Sequence, residues 1–494
     1  MEIPAFITHF LTEDTQLIQT HISYVLSNAA QTIKVKKPQD FGFLNFTKKE
    51  DRKRFCKAEI TLNRRYSDAI YKKAVAIIAT NTGYTLTDDI DTPHAIDYAV
   101  VMNTFEQEAI LKHKITQQPL EKDLLHELAT KIAIVHTERA ISNDHIQSFG
   151  MPERIRTMFN KNLELTASLV GVTISQKDYE KFLSFFNSFI DTHLDLLINR
   201  VHKGFIKECH GDLHLGNICI YKEKVQAFDC IEFNEDFRFI DIIYDLSFLL
   251  MDLDYQKDKP GSNYVLNKYL EITNDYEGGC LLNFYKSMRA LIRGNVISLE
   301  LNDASIDPQQ KTKATKEAKA FFDLALSYTQ SLTAKCYAVS GVSGSGKSFF
   351  AYQLSDKLNA IIIRSDVIRK HLCGVRLTDR DASIYTSKIT QQTYEQIAFL
   401  GKSLADAGYS IILDATFTRP SYRSIVKNSI PSLQFILCTA PLSVIEKRLL
   451  NRKNDVADAD VSIMQQQLTS FDKLKGENPI VISTDQSIDF SLFL

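Results

Sequence analysis

At 494 residues the chain exceeds the size at which one hydrophobic core stops growing, so two or three folding units are expected. Its 44% apolar and 24% charged content is that of an ordinary soluble globular protein, and 58 basic against 60 acidic side chains leave no global field to attract nucleic acid or an anionic membrane. Residues 1–6 show no positive stretch leading into an apolar core, and the apolar run 240–253 is broken by Asp241, Asp245 and Asp252; neither export nor a membrane span is expected, and the expected compartment is cytoplasmic. Eight cysteines without a C-x-x-C pair or zinc-like spacing read as reduced core thiols.

In chain order, short β-like runs come first, at 23–26, 32–36, 74–79 and 99–102, with a helical run at 50–65 between them. After about residue 105 the pattern turns long and helical, as in 123–139 and 179–201. A polar stretch at 302–320 contains Pro308, and a helix from about 313 to 332 is expected to close the first domain. Thereafter apolar strands at 336–340, 360–364, 410–413 and 434–438 alternate with helices, which implies a parallel sheet. The expected fold is α/β and α+β multidomain: a small strand-rich lobe at 1–105, a helical lobe at 106–333, and a P-loop NTPase domain with a parallel sheet at 334–494.

Two unrelated devices for handling nucleotide phosphates lie along this chain. His210-Gly-Asp-Leu-His-Leu-Gly-Asn217 has the order of a kinase-type catalytic loop, with Asp212 placed to take a substrate proton and Asn217 to hold a metal. Asp229, at the end of the run 225–228 and twelve residues past Asn217, supplies the second metal carboxylate such a loop requires. Lys34 and Lys36 share one face of an early strand, and Glu59 lies in the helical run; Lys34 is preferred as the phosphate-orienting lysine, with Lys36 the alternative. His210 and His214 flank a glycine in a turn-like loop without a third ligand at motif spacing, so no metal site is expected from them.

The second device is Gly341, Val342, Ser343, Gly344, Ser345, Gly346, Lys347 and Ser348, a complete G-x-x-x-x-G-K-S loop. Its glycines let backbone N–H groups close around phosphates, while Lys347 addresses the terminal phosphates and Ser348 a Mg²⁺ ion. Downstream, Asp366 ends a strand in the position of a general base with Arg369 one helical turn on, and Asp414 ends another strand as a Mg²⁺-holding carboxylate. Arg448 and Arg452, four apart, are placed to close on a transferring phosphate.

The middle motif resembles the aminoglycoside phosphotransferase family, whose H-G-D-x-x-x-x-N loop differs from the H-R-D form of protein kinases. That likeness implies a bilobal protein-kinase-like domain with Asp212 as catalytic base and Asn217 and Asp229 as metal ligands. The chain departs from it before Lys34, where no glycine-rich loop occurs and residues 20–23 would have to cover the phosphates. The last third resembles the P-loop kinases that include gluconate kinase, chloramphenicol phosphotransferase, zeta toxin and polynucleotide kinase. There the likeness implies Asp366 as base, Arg369 as a substrate or phosphate contact, and Arg448 and Arg452 as lid residues. As a whole the chain resembles bacterial bifunctional predicted kinases that join these two domains, and segments 41–46 and 56–65 carry that likeness in the first.

The expected function is ATP- and Mg²⁺-dependent phosphorylation of a hydroxyl on a small-molecule acceptor, with neither membrane nor nucleic acid as partner. Two rival readings stay open. One is an ATP-binding regulator whose first domain is a degenerate kinase controlling the second, favoured by the missing glycine-rich loop and opposed by Asp212, Asn217 and Asp229. The other is a nucleic-acid end kinase, which draws on Asp366 and Arg369 but lacks a basic patch with interleaved aromatics.

Overall fold

In the strand Thr32–Lys36 the side chains alternate: Ile33 and Val35 enter a core with Tyr24, Leu26, Val75, Ile77 and Val101, which leaves Lys34 and Lys36 on the opposite face. The computed structural model describes residues 3–301, 307–330, 333–451, 456–474 and 476–493. They group into two units, Met1–Lys257 with Phe284–Tyr328, and Asp258–Asn283 with Thr329–Leu494.

The first unit begins with six antiparallel strands, β1 (Gln16–Gln19), β2 (Ser23–Ser27), β3 (Thr32–Lys36), β4 (Tyr71–Thr80), β5 (Gly83–Thr87) and β6 (Ala95–Met102), in the order β1-β2-β3-β6-β4-β5. The helix Lys49–Tyr66 covers one face, where Cys56 and Ile60 pack on Ala76, Tyr98 and Val100. β1 and β5, which the sequence reading did not single out, are the sheet's two edges; their half-exposed residues lack the apolar alternation by which inner strands declare themselves.

Helices dominate the remainder of this unit, with two short antiparallel pairings, β7 (Ile206–Glu208) with β10 (Phe239–Asp241), and the hairpin of β8 (Ile218–Tyr221) with β9 (Lys224–Ala227). The single helix expected over 179–201 is two, Gln176–Thr192 and Leu194–His202, broken at His193 (φ −118°, ψ 21°), whose ring stacks on Phe189 at 3.9 Å. The helix expected from about 313 to 332 runs Pro308–Ser327. It starts early because Asp307 caps it, accepting the N–H groups of Gln309 and Gln310, and proline suits the first helical turn. Residues 302–306 and 331–332 of these stretches lie outside the described residues. The helix Ile242–Tyr255 is buried from Ile242 to Asp254, so it is a central helix and its aspartates are interior groups.

In the second unit, β11 (Cys336–Ser340), β12 (Ile361–Arg364), β13 (Ile411–Asp414), β14 (Gln434–Thr439) and β15 (Ile480–Ser483) form the parallel sheet that strand–helix alternation implies, in the order β12-β13-β11-β14-β15. β12 and β13 are buried along their whole length, as near-continuous apolar strands covered by helices should be. The edge at β12 is finished by side chains. From the helix Lys259–Thr273, Asn267 Oδ1 accepts the Ile362 N–H at 2.7 Å, while Asn263 and Asn267 donate to the Ala360 carbonyl at 3.0 and 3.1 Å. The sequence reading placed residues 258–283 in the helical lobe of the first domain; they group instead with the second unit, and this polar ladder is one of the contacts that join them to it. Among the described residues no helix is long and apolar enough to cross a membrane.

Asn267→Ala leaves a buried N–H without its acceptor and one fewer donor on Ala360. It is expected to destabilise the second unit by about 1–3 kcal/mol, seen as a lower urea midpoint for that unit's transition with the first unit's unmoved.

Candidate active sites

In the first unit, β3 and the helix Lys49–Tyr66 bring both candidate lysines to one carboxylate. Lys34 Nζ lies 2.9 Å from Glu59 Oε1 and also pairs with Asp229; Lys36 Nζ lies 2.5 Å from Glu59 Oε2 and also pairs with Glu232. Burial opposes charge on these groups, but the opposite charges outweigh it: both lysines stay protonated and Glu59 is held below the usual carboxylate range. Of the two lysines, Lys34 also lines, with Asp229, Val25, Tyr71 and Met102, a cleft of about 350 Å³.

The loop around Asp212 hangs on carboxylates of the central helix. Asp245, fully buried, accepts the N–H groups of His210 (3.2 Å) and Gly211 (2.8 Å) and is 3.1 Å from His136 Nε2, while Asp252 accepts the Leu215 N–H at 2.9 Å. Gly211 has φ 83°, and a Cβ there would meet the Phe237 carbonyl oxygen at 2.7 Å, so only glycine fits. Asn217 Nδ2 donates to Asp212 Oδ2 (2.9 Å) and to its carbonyl (3.0 Å), and His214 Nε2 is 3.4 Å from Oδ2. Burial would raise the Asp212 pKa; the charge and hydrogen bond of His214, then His210 and Arg293, overcome it and hold the carboxyl well below its ordinary range.

Backbone hydrogen bonds tie this loop to Asp229. Phe228 N–H donates to the Asn217 carbonyl (2.9 Å), His210 Nε2 bonds the Phe228 carbonyl (3.0 Å), and Asp229, at φ 64°, donates its N–H to the Tyr71 hydroxyl (2.9 Å). An αL conformation at a non-glycine residue is a strain of order 1 kcal/mol or more, held here by that set of bonds. Where a glycine-rich loop would lie, Thr20 Oγ1 accepts the N–H groups of Ile22 (3.3 Å) and Ser23 (2.9 Å), and Thr20 N–H bonds the Ser23 carbonyl (3.0 Å). These donors are satisfied within the turn, and Lys34 and Asp229 are the charged groups that line the cleft.

His210 and His214 belong to this hydrogen-bond network. Among the described residues the one cluster of potential metal ligands is His136, Cys209 and Asp245, within 4.8 Å of one another. Burial, reinforced by Asp245 and Asp241, pushes the Cys209 thiol well above its ordinary pKa. A protonated thiol is a poor metal ligand. The oxygen donors at Asn217 and Asp229 suit a hard divalent cation instead.

In the second unit, Gly341, Gly344 and Gly346 all take positive φ, and a Cβ on Gly346 would meet Thr484 Oγ1 at 2.6 Å. The helix Lys347–Leu358 follows at once, with Lys347 Nζ folded back onto the Val342 carbonyl at 3.2 Å and Ser343 N–H held by Gln467 Oε1 at 2.7 Å. Ser348 Oγ donates to Asp414 Oδ2 at 2.6 Å, joining the loop to the end of β13. This hydroxyl–carboxylate pair fits a Mg²⁺ ion, which prefers a few hard oxygen ligands and retained waters. Asp366 stands in the first turn of the helix Ser365–Leu372, and its pKa is raised: burial dominates, assisted by Asp414, against Arg364, Lys347 and Arg369.

The structure gives the arginines more defined partners than sequence could. Arg369, buried, donates to Thr390 Oγ1 (3.0 Å) and the Ile384 carbonyl (3.3 Å), with its guanidinium 4.8 Å from the centre of the Tyr385 ring. Arg448 donates to Thr484 Oγ1 and to its carbonyl, both at 2.8 Å, and Thr484 donates to the Ser345 carbonyl at 2.6 Å, so in this conformation Arg448 buttresses the P-loop. Arg452 lies outside the described residues. Sequence reasoning did not find Glu271 and Arg364, which reach Asp414 in series, nor Lys370, whose Nζ is 3.0 Å from Asp458 Oδ1.

Residues 337–474 match a family model described as an AAA domain. An uncharacterized protein of Mycobacterium tuberculosis strain H37Rv is 25% identical over 454 residues, covering 90% of this chain and 88% of that one. The thermoresistant gluconokinase of Escherichia coli K12 is 23% identical over 159 residues, covering 31% of this chain and 86% of the enzyme. Among solved structures, a choline/ethanolamine kinase family protein from Mesorhizobium loti is similar over 65% of this chain and 94% of its own, at 12% identity and a TM-score of 0.38. The strand order and loop geometry above, with the family match, show a P-loop fold of the AAA-domain kind in the second unit.

Glu59→Gln keeps the shape of the side chain but sets an amide between two buried ammonium groups. The first unit is expected to lose about 3–5 kcal/mol, read as a lowered urea midpoint for its transition.

Proposed function

We propose that this chain is an ATP- and Mg²⁺-dependent phosphotransferase with two active sites, each transferring phosphate to a hydroxyl of a small molecule. The observation that carries the reading is the 2.6 Å bond from Ser348 to Asp414 beside Lys347, with the raised-pKa carboxyl of Asp366 among the same charges. Phosphoryl transfer passes through a loose transition state, so the protein's work is positioning and charge stabilisation.

In the P-loop site, Lys347 and the backbone N–H groups of residues 344 and 346–348 bind the β- and γ-phosphates, and Ser348 and Asp414 would hold the Mg²⁺. Bound there, the ion would neutralise charge on the phosphate oxygens. Asp366 accepts the proton of the acceptor hydroxyl, and Arg369 orients the acceptor. In the first unit, Lys34, fixed by Glu59, orients the phosphates; Asn217 and Asp229 are the metal ligands; Asp212 receives the hydroxyl. Asp212, held ionised at low pKa, is a weak base. It fits a late proton transfer, whereas Asp366 has the higher proton affinity.

Two sites predict two nucleotides. Calorimetry with a non-hydrolysable ATP analogue and Mg²⁺ is expected to count two sites in the parent and one each in Lys347→Ala and Asp229→Ala. A parent with one site, lost in Lys347→Ala and untouched by Asp229→Ala, overturns the two-site reading and leaves the first unit as a regulator. On its acceptor, Asp366→Asn is expected to slow P-loop transfer by roughly 10²–10⁴ while nucleotide binding persists. The opposite pKa directions at Asp366 and Asp212 also separate the pH–rate profiles. As pH falls, the P-loop reaction loses its base form first, so its acid limb lies at higher pH than that of the first unit.

A further inference from the structure

The guanidinium of Arg364 stands between carboxylates from distant parts of the chain. Its Nη1 is 3.5 Å from Glu271 Oε1 and its Nε is 3.5 Å from Asp414 Oδ2, and all three side chains are more than nine-tenths buried. Glu271 also accepts from Lys268 Nζ (2.8 Å) and from the Tyr352 hydroxyl (2.5 Å). Tyr352 is one helical turn beyond Ser348 on the P-loop helix. The helix bearing Glu271 is fixed by Asn263 and Asn267 on β12 and by His371, whose Nε2 bonds the Glu271 carbonyl at 2.8 Å. Burial would raise the Glu271 pKa, but Arg364 and Lys268 bring it below its ordinary value, so the group is a carboxylate.

Charge decides what this arrangement does. A buried guanidinium beside Asp414 neutralises the carboxylate that the metal–nucleotide complex uses, and its positive charge opposes a dication in a medium of low dielectric. With Glu271 present, one guanidinium is shared by two carboxylates, so less of its charge falls on Asp414, and with Lys268 on Glu271 the four groups together are neutral. The geometry points to Glu271 as a positioning residue of the P-loop site: it draws Arg364 away from Asp414 and so keeps Asp414 available to the metal. This inference rests on the reading of Ser348 and Asp414 as the Mg²⁺-holding pair. It gives the helix Lys259–Thr273, whose sequence lies between segments of the first unit, a part in the chemistry of the second.

The test uses the full chain carrying Asp229→Ala, so that only the P-loop site titrates, and AMP-PNP as the probe, with Mg²⁺ or with EDTA. Glu271→Gln is expected to lose roughly tenfold or more of the affinity gained from Mg²⁺, with affinity in EDTA unchanged or raised. In an Arg364→Met background the same substitution is expected to have no further effect, because the group it acts through is gone. Equal losses with and without Mg²⁺, additive losses in the double variant, or an unchanged Mg²⁺ gain in Glu271→Gln overturn the proposal. If Glu271→Gln alone does not fold, the double variant lacking both charges is expected to recover the fold and the Mg²⁺ gain, and failure to do so overturns it as well. Retained AMP-PNP binding in Lys347→Ala on the same background marks instead the failure of the P-loop reading.

Discussion

A carboxylate taken out of water must be answered by donors or cations, and in the first unit the carboxylate of Asp245 organises what surrounds it. With no exposure to solvent, it accepts two consecutive backbone N–H groups and faces His136, which fixes the start of the loop at His210. From there the chain of bonds is unbroken: His210 to the Phe228 carbonyl, Asn217 to Asp212, and Phe228 to Asn217. Asp212 and Asp229 therefore hold their places through the central helix and the β8–β9 hairpin, together with their own bonds to Asn217, His214, Lys34 and Tyr71.

If both units transfer phosphate as proposed, they meet the same chemical demand by opposite electrostatics. Asp212 is surrounded by His214, His210 and Arg293, so its negative charge is stabilised before any acceptor arrives. Asp366 sits where burial and Asp414 outweigh three cationic neighbours, so a proton is bound there more readily. On that reading one arrangement favours alignment of a hydroxyl and the other its deprotonation, and both are compatible with a transition state that asks for little covalent assistance.

Much of this was legible because the signals are local. The P-loop announces itself through glycines that positive φ and a 2.6 Å approach to Thr484 make obligatory, and the His210–Asn217 loop through residues that bond to one another within eight positions. Alternation in β3 put Lys34 and Lys36 on one face, and the structure brings both to Glu59. What sequence could not yield are pairings set by the fold. Glu271 meets Arg364 across ninety-three positions, and Arg448 finds Thr484 across thirty-six. Neither has a periodicity to betray it. The start of the helix at Pro308 was readable in principle, from an Asp-Pro pair at a helix N-terminus, but the run of lysines and threonines after it has weaker helical composition than the segment that follows.

The backbone passes between the units at Lys257–Asp258, Asn283–Phe284 and Tyr328–Thr329, and this threading sets an order of assembly. On a ribosome, the helix Lys259–Thr273 is made before any strand of the parallel sheet it borders. The first unit receives its last segment, Phe284–Tyr328, while that helix still has no strand to cap. Asn263, Asn267 and Glu271 are synthesised before their native partners Ala360, Ile362 and Arg364. The second unit is thus built on long-range contacts to a piece delivered in advance, a topology that slows folding and ties its completion to a part of the chain synthesised before the P-loop.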